Sequence, residues 1–580
     1  MISEWITNRI SLTNNVPIWI VIGVWMCVNI GLFIGFFVQF QTFDQYFYMR
    51  QRTKASLAFA RGPAPVINFN MALILLPVCR NLVSLVRGSC RCTPRSIRRL
   101  LDKNITFHKY IAWMMIIAST VHTVAHWYNY ERFVAFSPPA PFSDFGVDDD
   151  AFIPQESTVV VSGNTDTINV CFTTWAGVTG HIMVLVLFLM VTSSLEFVRR
   201  SFFEVFWYTH HLFIIFMVAL AFHQYQRLLP VQMNLDEHPP EFCFDNYERL
   251  FQTFNQSVAD ARCPVGSDAF SGAPPSSWKW MIGPFCIYVF ERILRFVRSL
   301  FYPIIIKVVE HPSNVMEIQF RKKGFHAEVG QYVFLNCPKV AFFEWHPMTL
   351  TSAPEEDYFS VHIRIVGDWT SQLSKVLGIG RGDTTQAWQL PSIAVDGPFG
   401  TASEDVFEYE AGVLVGAGIG VTPFASILKS VWYKLSNEAS TVKMKRLYFF
   451  WVCPDTHAFE WFADLLHTIE EQLQGSGIND FLEYHIYLTR GWNPSDARNI
   501  MLHEDEAGDA ITGLQQKTHY GRPQWDQIFE SISSAHPNTN VGVFFCGPAV
   551  LSRELHRNCN RHSSHTDPSK ARFFYNKENF

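Results

Sequence analysis

Four histidines of this chain lie inside stretches that are otherwise apolar over the thickness of a membrane: His108 and His122 in one, His210 and His223 in another. A backbone in hydrocarbon must satisfy its own hydrogen bonds, so such stretches cross as helices. About twenty apolar residues suffice for a crossing. Six stretches come near that length: 16–40, 65–86, 107–127, 175–195, 202–224 and 278–297. The first is too long for a cleaved signal peptide and reads as a retained anchor. Metal-ligating side chains at membrane depth are costly and mark function by default. The four histidines are therefore the first candidates for chemistry.

Charge orients the six spans. Arg80, Arg87, Arg91, Arg95, Arg98, Arg99 and Lys103 fill the second connection, Arg199 and Arg200 the fourth, and Arg292, Arg295 and Arg298 close the sixth span. These segments are expected on the cytosolic side. Asp144, Asp148, Asp149 and Asp150 in the third connection, and a fifth connection without lysine, are expected outside. In the fifth, Cys243, Cys263 and the sequon at Asn255 suit an oxidising, glycosylating compartment, so a disulfide and a glycan are expected. Arg50, Arg52, Lys54 and Arg61 in the first connection stand on the wrong side of this pattern, and the first three read as snorkelling to headgroups. The net charge of −6 gives no reason to expect nucleic acid as a partner.

The fourteen-residue step from His108 to His122 rises roughly 21 Å on a helix and returns almost to the same face. The thirteen-residue step from His210 to His223 rises about 19 Å but lands about 140° off the starting face. That helix must be locally irregular, or its side chains must reach sideways. His126 and His211 are rival ligands for the same positions. A lone histidine at membrane depth is more often a hydrogen-bonded core residue, whereas two pairs at matching heights suit metal centres. Imidazole on both axial positions suits an electron-transfer haem.

Beyond residue 298 the composition changes. Short alternating runs at 304–309, 315–320, 332–335 and 359–365 indicate a small β-barrel. His346-Pro347-Met348-Thr349 and His362-Ile363-Arg364 offer hydroxyls and a cation of the kind a flavin needs, although taken alone they read better as a strand-end turn with a solvated arginine. From Gly412, strands at 413–415, 447–452, 484–488 and 542–546 alternate with helical stretches, which argues for a parallel α/β sheet. Gly416-Ala417-Gly418-Ile419-Gly420-Val421-Thr422-Pro423 follows the first of these strands and opens a helix, a setting for phosphate. Cys546-Gly547-Pro548 ends another strand, and both loops are expected to border one site.

These motifs sit within longer runs: Leu75-Leu76-Pro77-Val78-Cys79-Arg80-Asn81, Phe206-Trp207-Tyr208-Thr209-His210-His211, Glu344-Trp345-His346-Pro347, Thr351-Ser352-Ala353-Pro354-Glu355-Glu356-Asp357 and the tail Asn576-Lys577-Glu578-Asn579-Phe580. With them nearly the whole chain resembles the phagocyte-type NADPH oxidases, the superoxide-generating branch of the ferric-reductase-like flavocytochrome b family. The resemblance implies a six-helix transmembrane haem bundle (1–298), then a ferredoxin-reductase-like module made of a FAD-binding β-barrel (299–400) and an NADPH-binding α/β domain (401–580). It implies two b-type haems, an inner one on His108 and His210 and an outer one on His122 and His223, with Arg61 and His126 lining an oxygen-reducing pocket. It assigns FAD to His346, Pro347, Thr349 and Arg364, and NADPH to Gly416, Gly418, Gly420, Thr422, Pro423, Cys546 and Gly547. Arg522 would meet the 2′-phosphate, and Phe580 would stack on the flavin and yield to nicotinamide.

The expected reaction carries electrons from cytosolic NADPH to external or lumenal oxygen. A ferric or cupric metalloreductase with the same electron path is the alternative, and a proton channel or haem sensor the alternative of another class. Two departures stand out: Pro454 occupies a position where the family often has arginine, which bears on NADPH against NADH, and Arg490 lengthens a turn. Without an EF-hand module or a peroxidase-like domain, regulation is expected to come from partners. The resemblance implies a small membrane subunit, cytosolic organiser and activator subunits, and a Rac-type GTPase. It also implies a multi-pass location in the plasma membrane, and in phagosomal or endosomal membranes, with both termini cytosolic.

Overall fold

The computed structural model describes residues 14, 16–88, 95–135, 167–225, 229–237, 239–243, 270–272, 274–311, 314–379, 390–436, 443–454, 460–475, 480–489, 509, 514–564 and 567–578. The acidic third connection, Arg91, Cys263, Asn255, Arg490 and Phe580 lie outside these residues. Two compact units emerge: one of Ile22–Cys79 and Asn104–Phe290, the other of Met1–Val21, Arg80–Lys103 and Glu291–Phe580.

The first unit is helical, built on Val16–Thr42, Ser56–Arg61, Pro63–Ile74, Asn104–Ala135, Trp175–Ser193, Phe203–His210, Phe213–Phe222 and Ser277–Ser299. Val66, Met71, Ile111, Met115, Phe216 and Leu220 form its core. Its outer surface is as apolar as its core: Ile117 and Phe188 are 59 % and 63 % exposed. A water-soluble bundle would place charge there, so this surface faces hydrocarbon. Inside, Trp25 Nε1 donates to Asn70 Oδ1 at 3.0 Å, and Asn70 Nδ2 donates to its own helix at Val66. Two short strands, β1 (Pro230–Gln232) and β2 (Phe270–Gly272), pair antiparallel in the fifth connection. Cys243 there is disulfide-bonded.

Among the described residues, four helical runs are long and apolar enough to cross a membrane: Val16–Thr42, Ser56–Val78, Trp175–Ser193 and Phe203–Phe222. The second corrects the expected 65–86. It begins earlier, includes Arg61, and ends at a turn before the separate helix Arg80–Gly88. Helices Asn104–Ala135 and Ser277–Ser299, with 32 and 23 residues, have the length for a crossing. Lys109 and three histidines lower the hydropathy of the first; Lys279, Glu291 and three arginines lower that of the second.

The second unit holds the barrel and the sheet. Strands β3 (Ile304–His311), β4 (Val315–Arg321) and β7 (Phe359–Arg364) form one antiparallel sheet in the order β3-β4-β7. Strands β5 (Tyr332–Asn336), β6 (His346–Thr349) and β8 (Ala394–Phe399) form another, in the order β6-β5-β8. A bridge between Leu350 and Val361 joins the two sheets. Alternate residues Met316, Ile318 and Phe320 face a core shared with Val333, Leu335 and Val361. The expected strands agree, while β6 and β8 are additional.

The nucleotide-type sheet contains β9 (Ala411–Ala417), β10 (Arg446–Cys453), β11 (Leu482–Leu488), β12 (His519–Tyr520), β13 (Asn540–Cys546) and β14 (Arg572–Lys577). All are parallel, in the order β12-β11-β10-β9-β13-β14. The chain runs outward from β9 through β12, then returns to place β13 on the other side of β9. That reversal opens a crevice at the carboxyl ends of β9 and β13, where open α/β sheets bind ligands.

Candidate functional site

The helical unit brings the histidines together in pairs. The ring centroids of His108 and His210 are 6.3 Å apart, and so are those of His122 and His223. His108 Nδ1 lies 2.9 Å from the Ile74 carbonyl oxygen and His122 Nδ1 2.6 Å from that of Ala60. A carbonyl only accepts, so Nδ1 carries the proton in both rings and Nε2 keeps its lone pair. His223 Nδ1 meets Thr179 Oγ1 at 2.8 Å and His210 Nδ1 meets Ser194 Oγ at 3.3 Å. Such outer partners fix the orientation of a ligating ring.

The rotational mismatch between His210 and His223 is reduced by a break. The helix stops at His210 and restarts at Phe213. Around it, His211 N donates to Tyr208 O, Leu212 N to Thr209 O and Ile214 N to His211 O. Each such three-residue bond winds the chain about 120° per residue instead of about 100°, which takes up part of the mismatch. His211 is turned elsewhere: its Nδ1 bonds Trp207 O at 2.7 Å and its ring packs edge-on against Trp207. His126 packs edge-on against His122 at 4.6 Å.

A cavity of about 310 Å³ is lined by His122 and His223 themselves together with, among others, Arg61, His126, Trp127 and Tyr130. Arg61 Nε is buried without a hydrogen-bond partner, and its guanidinium lies 5.4 Å from the Phe40 ring centroid. A guanidinium with an unsatisfied buried Nε at a cavity wall is suited to an anion.

In the barrel, His346 stacks on Trp369 with centroids 3.9 Å apart. Thr349 is buried in β6, and Arg364 is exposed at the end of β7. The Thr351-Ser352 turn is tied to the α/β domain, since Ser426 Oγ donates to Ser352 O at 2.7 Å. At the sheet crevice, the glycine loop and the Cys546-Gly547 loop touch. A Cβ on Gly420 would lie 2.4 Å from the Cys546 carbonyl oxygen, and one on Gly547 would lie 2.8 Å from Ala417 Cβ. Gly418 adopts φ +57° with open space around it, so backbone is bared at the mouth of the crevice. Thr422 and Pro423 open the following helix, Thr422–Ser436. Burial pushes the Cys546 thiol up to about 12, which leaves no thiolate at neutral pH. Pro454 follows β10 and the exposed Arg522 follows β12, so both lie at the carboxyl rim of the sheet.

Sequence reasoning missed Thr179, Ser194, Trp369 and Glu578. Glu578 is buried and accepts from Ser403 N at 2.8 Å and from Ser403 Oγ, while its own N–H donates to Phe545 O. The sequence signal was thin: single hydroxyls in apolar helices, and a carboxylate in a chain terminus.

Three family models match the chain. "Ferric reductase like transmembrane component" covers residues 67–221, "FAD-binding domain" 301–403 and "Ferric reductase NAD binding domain" 409–560. The chain is 46 % identical to mouse (Mus musculus) NADPH oxidase 1, over 96 % of this chain and 92 % of that one. It is 45 % identical to human (Homo sapiens) NADPH oxidase 3 over the full length of both. A superoxide-generating NADPH oxidase heavy chain of Dictyostelium discoideum is 38 % identical over 95 % and 94 % of the two chains. Over a ferric-reductase-like transmembrane bundle and a ferredoxin-reductase-like FAD and NAD module, the chain belongs to the NADPH oxidase family.

Proposed function

We propose that this protein transfers electrons from cytosolic NADPH through FAD and two haems to oxygen on the far side of the membrane, releasing superoxide. The carrying observation is the pair of 6.3 Å histidine separations. An ion bound by two imidazole nitrogens at about 2.0–2.1 Å each, plus the distance from each nitrogen to its ring centre, requires a centroid separation of about 6.4 Å. The rings are thus already spaced for a shared metal, with the Nδ1–H of His108 and His122 used elsewhere. His108 and His210 would hold the inner haem, and His122 and His223 the outer one.

When bound, the haems supply one-electron steps and the flavin accepts a hydride and releases electrons singly. The chain supplies binding and electrostatics. Both histidines of each pair would serve as haem ligands, which would leave oxygen to be met by Arg61 and His126 in the cavity they line. There Arg61 would stabilise a developing superoxide anion, with His126 beside it. His346, Pro347, Thr349 and Arg364 would hold FAD. Gly416, Gly418 and Gly420 permit close approach of the NADPH phosphates to the helix that Thr422 and Pro423 open. Cys546 and Gly547 complete that crevice, and Arg522 would meet the 2′-phosphate. Phe580, two residues beyond the anchored Glu578, would cover the flavin. Pro454 removes a cation from the same rim, so discrimination against NADH would be weak.

We assign 1–298 to the haem bundle, 299–400 to FAD and 401–580 to NADPH. The protein would sit in the plasma membrane and in phagosomal or endosomal membranes, with both termini cytosolic. Its partners would be a small membrane subunit, cytosolic organiser and activator subunits, and a Rac-type GTPase. The test is superoxide formation by sealed vesicles, with NADPH outside, superoxide trapped in the lumen and metal ions chelated. Arg61→Met should slow it with haem spectra unchanged. Electron flow that stops on chelation and returns with ferric salts would overturn the oxidase reading in favour of a metalloreductase.

A further inference from the structure

Glu317 lies in the middle of β4, directly opposite His362 of β7 and Val309 of β3. His311 is two residues beyond Val309 and shares its face. The register therefore gathers His311, Glu317 and His362 on one face of the β3-β4-β7 sheet, opposite the face that carries Met316, Ile318 and Phe320 into the core.

The atoms converge as well. His311 Nε2 is 3.3 Å and His362 Nε2 3.9 Å from the same oxygen, Glu317 Oε2. One ligand atom from each residue lies within 4.8 Å of the other two, and among the described residues this is the only such trio of His, Cys, Asp or Glu. A tetrahedral site with bonds of about 2.0–2.1 Å spaces its ligand atoms about 3.4 Å apart, so closure needs movements of up to about 1.4 Å along the longer edges. The unused atoms are engaged behind the cluster. Thr351 Oγ1 bonds His362 Nδ1 at 2.8 Å, and Gln319 Nε2 donates to Glu317 Oε1 at 2.9 Å. The His311 Nε2–Glu317 Oε2 contact is a hydrogen bond whose proton a bound ion would replace, and the outer partners Thr351 and Gln319 orient the other two residues as such partners do for metal ligands. The nearby cation Lys429, on the helix after the glycine loop, lies 3.7 Å from Glu356 instead. The side chain of His311 is 22 % exposed, which gives an ion a route in.

We propose that His311, Glu317 and His362 form a binding site for zinc, with its fourth position open to water. Two imidazoles and one carboxylate suit a borderline ion, whereas calcium and magnesium favour all-oxygen shells. Because the ligands come from three neighbouring strands, a bound ion cross-links edge strand β3 to β4 and β7. This site is independent of the electron path proposed above.

The test uses full-length protein in detergent, stripped with chelator, dialysed against zinc and analysed for metal per chain. Wild type should retain one zinc more than His311→Gln or Glu317→Gln, at unchanged haem and flavin content. Gln319→Met should weaken binding by about tenfold. A zinc K-edge spectrum of the wild type should show two imidazoles, and it decides the matter if either variant fails to fold. Equal zinc in wild type and variants, or an oxygen-only shell, would overturn the site.

Discussion

Replacing Arg87 by methionine should destabilise the nucleotide-binding unit far more than a surface change would. Arg87 is 4 % exposed and faces three carboxylates: Asp102 at 2.9 Å, Asp405 at 3.1 Å, and Glu404. Asp405 keeps Arg98 at 2.6 Å and Glu404 keeps Gln331 after the change, so the loss is partly shared. Removing one partner of a buried ion pair typically costs about 3–5 kcal/mol. At about 1.4 °C per kcal/mol for a unit of about 335 residues, the midpoint should fall by about 4–7 °C. The pH dependence carries a sign. Burial raises the carboxyls of Asp102, Glu404 and Asp405, and Arg87 offsets part of that rise. Carboxyls raised above their unfolded values bind more protons when folded, so stability falls as pH rises above about 4. Without Arg87 they rise further, so the penalty should be largest at pH 7.5 and shrink toward pH 5.5. Flavin fluorescence on heating reads the midpoint. A loss under about 1 kcal/mol, or equal losses at both pH values, would refute the assignment of Arg87 as the counter-charge of this cluster.

Gly420→Ala should raise the KM for NADPH at least tenfold with haem content intact, because its Cβ would lie 2.4 Å from the Cys546 carbonyl oxygen and force the two loops apart; steady-state kinetics measure it. Thr179→Val removes the partner of His223 Nδ1, and the haem off-rate in detergent should rise by about 10–100-fold. Glu578 is held up to about 7 by burial, above its unfolded value, so its anchoring of the tail is strongest at low pH and is lost as pH rises through about 7. Glu578→Gln should abolish that step in the proteolytic accessibility of the C-terminus between pH 6 and 8.

Regular alternation made β3, β4, β5 and β7 legible, because each has one face in the barrel core. β6 and β8 were hidden by Pro347 and by Gly397-Pro398, which break the pattern without ending the pairing. β14 was not expected from the sequence, because its three aromatics are too few to set a period and its ladder with β13 is a tertiary fact. The start of the second span was masked by Arg61, whose charge interrupts an otherwise continuous helical run. The need for an irregular helix between His210 and His223 was visible in the spacing alone, since a regular helix cannot aim both rings the same way. Thr179 and Ser194 were not visible, because contact across helices is a tertiary fact that no spacing encodes.

The most direct measurement is haem per chain, by pyridine haemochrome, in wild type, His210→Leu, His223→Leu and the double variant. Two haems are expected in wild type, one in each single variant and none in the double. A wild type with one haem, or a single variant that retains two, would contradict the pairing of His108 with His210 and of His122 with His223.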